Sequence, residues 1–169
     1  MKKLCIIPSF ISSLRVAALP VFFYLNNQGN IVACLILLAF CEISDFLDGY
    51  LARKINTTSR FGAYYDATTD FILTAGIFTI FCAQGYYPLW LPFLIAVSFA
   101  QFLVTGFYIK KMYDPVGRYL GSALYIGIVL TLVWPIQAVF AFVQYAFVTF
   151  FIVSIASRTV SLTRKQKAA

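Results

Sequence analysis

Five of the six acidic residues in this 169-residue chain, Glu42, Asp45, Asp48, Asp66 and Asp70, fall within 29 positions. The stretches around them are strongly apolar. Carboxylates in such surroundings are costly and point to function by default. At about 100° per residue, spacings of three, four and seven keep side chains on one face of a helix. Asp45, Asp48, Gly49 and Ala52 therefore share one stripe, and Gly62, Asp66 and Asp70 share another. The segment 53–60 is short enough to make the two helices antiparallel neighbours, with the stripes facing each other.

Four converging carboxylates repel one another and take up protons. A hard divalent cation removes both problems, because oxygen-only sites suit Mg²⁺, Mn²⁺ or Ca²⁺. Mg²⁺ typically takes a few carboxylates plus substrate phosphates, and four aspartates suit two such ions bridging a pyrophosphate. Gly49, Ala52 and Gly62 leave clearance for a bulky polar ligand, and Arg53 and Arg60 are placed to contact phosphate oxygens. In a competing reading the aspartates pair with Arg53, Lys54 and Arg60 as interfacial anchors. One aspartate would fit that reading well. Four in register on two helices fit it poorly, since each buried charge adds its own desolvation cost.

Other polar residues stand near this cluster. Arg15 lies inside an apolar run, and either snorkels to the interface or reaches nucleotide phosphates. Glu42, three residues before Asp45, either lines the floor of the cavity or is a hydrogen-bonded structural group. In the segment from Lys110 to Arg118, Asp114-Pro115 and Gly117 read as a turn. There Lys111 and Arg118 either set topology or bind an acceptor's phosphate. Cys5, Cys34, Cys41 and Cys82 form no CxxC pair, and the chain has no histidine, so they read as small core residues.

The elements that must position these groups are membrane helices. The chain is 62% hydrophobic and 11% charged, with mean hydropathy +0.86. Soluble domains carry about a quarter charged residues. Six apolar runs, at about 8–26, 31–52, 61–84, 88–109, 118–135 and 138–157, approach the roughly 20 residues that a span needs. All 13 Lys and Arg then fall at one side of the membrane. The positive-inside rule puts both termini and the 53–60 and 110–118 loops in the cytoplasm. Tyr86, Tyr87, Trp90 and Trp134 fall at the opposite interface, where amphipathic rings are favoured. The net charge of +7 is thus topogenic, and nucleic acid is excluded as a partner. Residues 1–13 read as an amphipathic lead-in followed by a retained span. The basic tail 158–169 lies on anionic lipid or is disordered. The expectation is an all-α integral membrane bundle of six transmembrane helices forming one domain, 1–169.

The pattern Asp45-x2-Asp48-Gly49-x2-Ala52-Arg53-x8-Gly62-x3-Asp66-x3-Asp70 resembles the complete signature of the CDP-alcohol phosphatidyltransferases. The stretch Pro8-Ser9-Phe10-Ile11-Ser12-Ser13-Leu14-Arg15 resembles that family's lead-in, Pro-Asn-x-x-Thr-x-x-Arg, with serine for asparagine and for threonine. The resemblance implies six helices around a polar cavity open to the cytoplasm, and homodimers in many members. It implies metal ligation by Asp45, Asp48, Asp66 and Asp70, with Mg²⁺ or Mn²⁺ as two ions and Asp70 also the general base. It implies a CDP pocket shaped by Asp48, Gly49, Ala52, Arg53 and Gly62, to which Ser12 and Arg15 of the lead-in are added. The implied reaction moves a phosphatidyl or related group from a CDP-diacylglycerol-like lipid to a small alcohol and releases CMP. Arg60, Lys111 and Arg118 are the candidates for acceptor binding.

Glycerol-phosphate-using members often read Asp-Pro-x-Ala-Asp-Lys across the last two aspartates. This chain reads Asp66-Ala67-Thr68-Thr69-Asp70-Phe71 and selects no acceptor class. The main alternative function is a small cation or metal transporter using the same carboxylates. Such proteins place their sites near the bilayer midplane, on broken helices within repeats, whereas here the aspartates fall near helix ends.

Overall fold

A computed structural model describes residues 6–54, 60–109 and 117–166, with side chains described within 14–44, 47, 62, 64–104 and 121–156. The described residues form six helices and no strand. They are α1 (Ile6–Asn27), α2 (Ile31–Lys54), α3 (Arg60–Ala83), α4 (Trp90–Ile109), α5 (Gly117–Val133) and α6 (Gln137–Gln166). The chain divides into two compact units, Met1–Ile80 and Phe81–Ala169, with the boundary inside α3.

In the first unit, a glycine turn joins α1 to α2. Gly29 takes a left-handed φ of 69°. This lets the N–H of Asn30 donate to Leu25 O at 3.1 Å and that of Gly29 to Asn26 O at 3.0 Å, satisfying carbonyls at the helix end. Asn30 then caps α2, its Oδ1 accepting from Ala33 N–H at 3.1 Å. So short a connection makes the two helices antiparallel, and they pack together.

Helical periodicity sorts the faces. On α1 the buried stripe is Arg15, Ala18 and Phe22; on α2 it is Cys34, Leu38 and Cys41; on α3 it includes Thr74, Ile77 and Phe78. The opposite face of α2, with Val32, Ile36, Phe40, Ile43 and Leu47, is apolar and more than half exposed. A helix apolar on both faces is one made for a lipid surround or a deep core. Leu19 of α1 meets Gly76 of α3, where a Cβ would lie 2.5 Å from Leu19 Cδ2. Only a glycine permits that approach without displacing the leucine.

In the second unit, Gly85 (φ 81°) repeats the same device at the end of α3, with Tyr86 N–H donating to Phe81 O at 3.0 Å. Tyr86 stacks on Phe140 with centroids 4.9 Å apart, and Tyr87 meets the same ring edge-on at 5.5 Å. Thr131 Oγ1 donates to Gly127 O at 2.7 Å, so in its 2.6 Å contact with Tyr87 the phenol is the donor. Burial pushes the Tyr87 phenol up, and the bond to Thr131 opposes that shift. The Tyr87 ring is therefore packed against protein rather than exposed. Trp90 and Trp134 are exposed.

Two further differences from the sequence reading have simple causes. The lead-in and first span are one continuous helix from Ile6; Pro8 sits in its first turn, where no intrahelical N–H is needed. α6 continues to Gln166, because Arg158 to Gln166 contains no glycine or proline to stop it. Among the described residues, Tyr64–Ala83 and Gln137–Ala156 are long and apolar enough to cross a membrane, while Ile31–Ser44, Trp90–Val104 and Gly121–Val133 are shorter apolar stretches.

Candidate active site

The site is built on the first unit, at the end of α3 that follows residue 60. Asp66 and Asp70 lie one turn apart and continue the inward stripe of Thr74 and Ile77. Ile77 and Thr74 are buried, the Asp70 side chain one turn on is 51% exposed, and Asp66 a turn beyond is half-buried. The carboxylates thus stand where the apolar interior opens.

Neighbouring hydroxyls serve the helix itself. Thr68 Oγ1 donates to Tyr64 O at 2.7 Å, Thr69 Oγ1 to Asp66 O at 2.8 Å and Thr74 Oγ1 to Asp70 O at 2.8 Å. Back-bonding of this kind satisfies polar groups buried in an apolar setting. It also turns the Thr68 and Thr69 protons into α3.

α1 supplies the cation. Arg15 is 4% exposed, and its Nη1 donates to Oδ1 of Asp70 in an ion pair. The guanidinium does not snorkel, which removes one of its two sequence readings. Because Arg15 is buried, its charge needs a partner. Stranding one ion of a fully buried pair costs about 3–5 kcal/mol, and less here, where Asp70 is half open.

Two contacts between α1 and α3, Arg15 with Asp70 and Leu19 with Gly76, ascend both helices together. The helices therefore run parallel. α2 reaches the same level through Cys41, which is buried and within electrostatic range of Arg15, Glu42 and Asp70. Glu42 is exposed and lies about 100° around α2 from Cys41.

α2 runs unbroken to Lys54, so positions 45, 48 and 52 continue the register of Cys34, Leu38 and Cys41. The side chains of Asp45, Asp48, Gly49, Ala52, Arg53, Ser12, Arg60 and Arg118 lie outside the described residues, and so does Lys111 altogether. The structure brings together Arg15, Cys41 and Asp70, with Asp66 and half-buried Gly62 on successive turns of α3. The pairing of Arg15 with Asp70 was not foreseen. Its signal was an arginine on an inward stripe of an otherwise apolar helix.

Among the described residues, no group of three or more His, Cys, Asp or Glu side chains is placed to hold a metal. Asp66 and Asp70 nevertheless suit a hard cation: both offer carboxylate oxygens, they sit on successive turns, and half of the Asp70 side chain is open.

Comparison with known proteins extends this reading. A CDP-diacylglycerol–glycerol-3-phosphate 3-phosphatidyltransferase of Pseudomonas fluorescens is 35% identical over 103 residues, which are 59% of this chain and 52% of that one. Proteins of the same name from Pectobacterium atrosepticum and Yersinia enterocolitica are 30% and 31% identical over 103 residues, 59% of this chain and 56% of each relative. The chain spans about half the length of these curated relatives. The sequence model for CDP-alcohol phosphatidyltransferase matches residues 5–156, covering both the lead-in to Arg15 and the stripe from Asp45 to Asp70, and the chain belongs to that family.

Proposed function

We propose that this protein is an integral membrane enzyme of phospholipid biosynthesis, transferring a phosphatidyl or related phospho-alcohol group from a CDP-linked lipid to an acceptor alcohol. The observation that carries this reading is the placement of Asp66 and Asp70 on the inward face of α3, at the turn where that face opens. Family membership supports a role for those two residues in the transfer.

In this reading Asp70 is the general base. It takes the proton of the acceptor hydroxyl as that oxygen attacks the lipid-side phosphorus. The bond from that phosphorus to the bridging oxygen breaks, and CMP leaves with the electron pair. A positioned base contributes about 10²–10⁴-fold. Asp45, Asp48, Asp66 and Asp70 would together hold Mg²⁺ or Mn²⁺, as two ions. When bound, such ions offset the charge of the pyrophosphate and of the departing CMP. Ser12, Asp48, Gly49, Ala52, Arg53 and Gly62 shape the CDP pocket, and Arg60, Lys111 and Arg118 are the cations available to an acceptor phosphate. Because the relatives' name specifies glycerol 3-phosphate, a small phosphate-bearing alcohol is the first acceptor to test.

The proposed architecture is one domain, 1–169, with six spans, and with the site and both termini cytoplasmic, assembled as a homodimer. Three facts support the spans: membership in a membrane-associated family, two full-length apolar helices, and the lipid-suited outer face of α2.

The test is to incubate purified protein with CDP-diacylglycerol, Mg²⁺ or Mn²⁺, and a panel of glycerol 3-phosphate, inositol phosphate, inositol, serine and choline, following CMP. Metal-dependent CMP release with one acceptor is expected. Ion flux in proteoliposomes without CMP release from any mixture would favour the transporter.

A further inference from the structure

We propose that Arg15 is a positioning residue for Asp70 rather than a ligand of the donor's phosphates. The proposal rests on the reading of Asp70 as the base and deepens it. Arg15 is 4% exposed while the Asp70 side chain is 51% exposed. The guanidinium therefore approaches the carboxylate from the protein interior, and substrates approach from the open side. A phosphate ligand would need the reverse arrangement.

The contact is held from several directions. One turn beyond Arg15, Leu19 seats against Gly76 so closely that a Cβ there would lie 2.5 Å away; this sets the register of α1 on α3. The carbonyl of Asp70 accepts from Thr74 Oγ1 at 2.8 Å, tying down the backbone beneath the carboxylate. Cys41 brings α2 to the same level.

An aspartate whose side chain is half open to its surroundings samples several rotamers. A base has to lie within hydrogen-bonding reach of the proton it takes, and a misplacement of about 1 Å can cost about 10²-fold. Arginine suits this task because its planar fork fixes a carboxylate's orientation as well as its charge. Lysine supplies only a mobile point charge.

The experiment compares wild type, Arg15→Gln, Arg15→Lys, Asp70→Asn and the Arg15→Gln/Asp70→Asn double variant. It measures kcat and donor KM for CMP release, equilibrium binding of CDP-diacylglycerol, and the unfolding midpoint in detergent. For Arg15→Gln, kcat should fall about 10- to 100-fold, with donor KM and binding within about threefold of wild type. Arg15→Lys should recover part of the lost kcat. In the Asp70→Asn background, adding Arg15→Gln should cost no further residual turnover. The unfolding midpoint of the double variant should lie above the sum of the two single losses, as expected for coupled partners.

A donor KM or dissociation constant raised tenfold or more with kcat unchanged would make Arg15 a phosphate ligand and overturn the proposal. So would additive losses in the double variant. Should Arg15→Gln not fold, Arg15→Lys decides the matter: a depressed kcat at unchanged donor binding supports positioning, and weakened donor binding refutes it. If wild type releases no CMP, the reading of Asp70 as a base falls and the proposal falls with it. If wild type releases CMP and Arg15→Gln does so equally well, the proposal alone falls.

Discussion

The two units of the chain handle polar groups in opposite ways. The first, Met1–Ile80, contains five of the six acidic residues and buries Arg15 against Asp70. The second, Phe81–Ala169, has no charged residue between Phe81 and Ile109 or between Tyr119 and Ser157. A buried polar contact of this unit is neutral, from Tyr87 to Thr131 to Gly127. One unit sets charges where its core opens; the other closes a hydroxyl chain within its own core. Charge at membrane depth is retained where chemistry needs it. On the proposed reading, the general base and the metal carboxylates belong to the first unit, and the second contributes at most Lys111 and Arg118 to the acceptor.

Substitutions that probe each unit sharpen this contrast. Asp66→Asn removes one oxygen-ligand charge from α3. CMP release at fixed Mg²⁺ should fall by about 10²-fold or more, consistent with losing a ligand of a metal that stabilises phosphoryl charge by several kcal/mol. A loss below threefold in that assay would break the assignment of the first unit. Gly76→Val comes next, because it drives a side chain into Leu19. Overpacking typically costs about 1–3 kcal/mol, and displacement of Arg15 should lower CMP release about tenfold or more. Its counterpart in the second unit is Gly127→Ala, whose Cβ would lie 3.2 Å from Phe147 Cζ and Val143 Cγ1. Small movements of those side chains suffice, so turnover should stay within about twofold and the unfolding free energy within about 1 kcal/mol. Tyr87→Phe is the mildest change. It removes one hydrogen bond to Thr131 and should cost about 1 kcal/mol in thermal unfolding, with CMP release unchanged. A large catalytic loss from Tyr87→Phe would show that the second unit does more than support.

Helical periodicity explains why so much of the site was legible. Spacings of three and four put Asp66 and Asp70 on one face without knowledge of any neighbour, and α2 and α3 extend as that reading requires. The pairing of Arg15 with Asp70 was not legible, because it depends on how α1 sits along α3. That register is set by Leu19 and Gly76, 57 positions apart in sequence and informative only once packed. Cys41 was correctly read as a small core residue. Its position at the junction follows from standing four residues before Asp45, a step the sequence offered. The burial of Tyr87 was not legible for a related reason: an aromatic beside a turn suits an exposed position equally well until Thr131 supplies a buried partner. The acceptor was illegible because Ala67 and Phe71 stand where the glycerol-phosphate pattern has proline and lysine, and neither side chain carries a polar group to name an acceptor.

The most direct test of the central claim compares wild type with Asp70→Asn in two assays on the same preparations: CDP-diacylglycerol binding, and Mg²⁺-dependent CMP release with the acceptor that wild type uses. The account predicts donor binding within about threefold of wild type and CMP release reduced by about 10²-fold or more. Full CMP release from Asp70→Asn would contradict it.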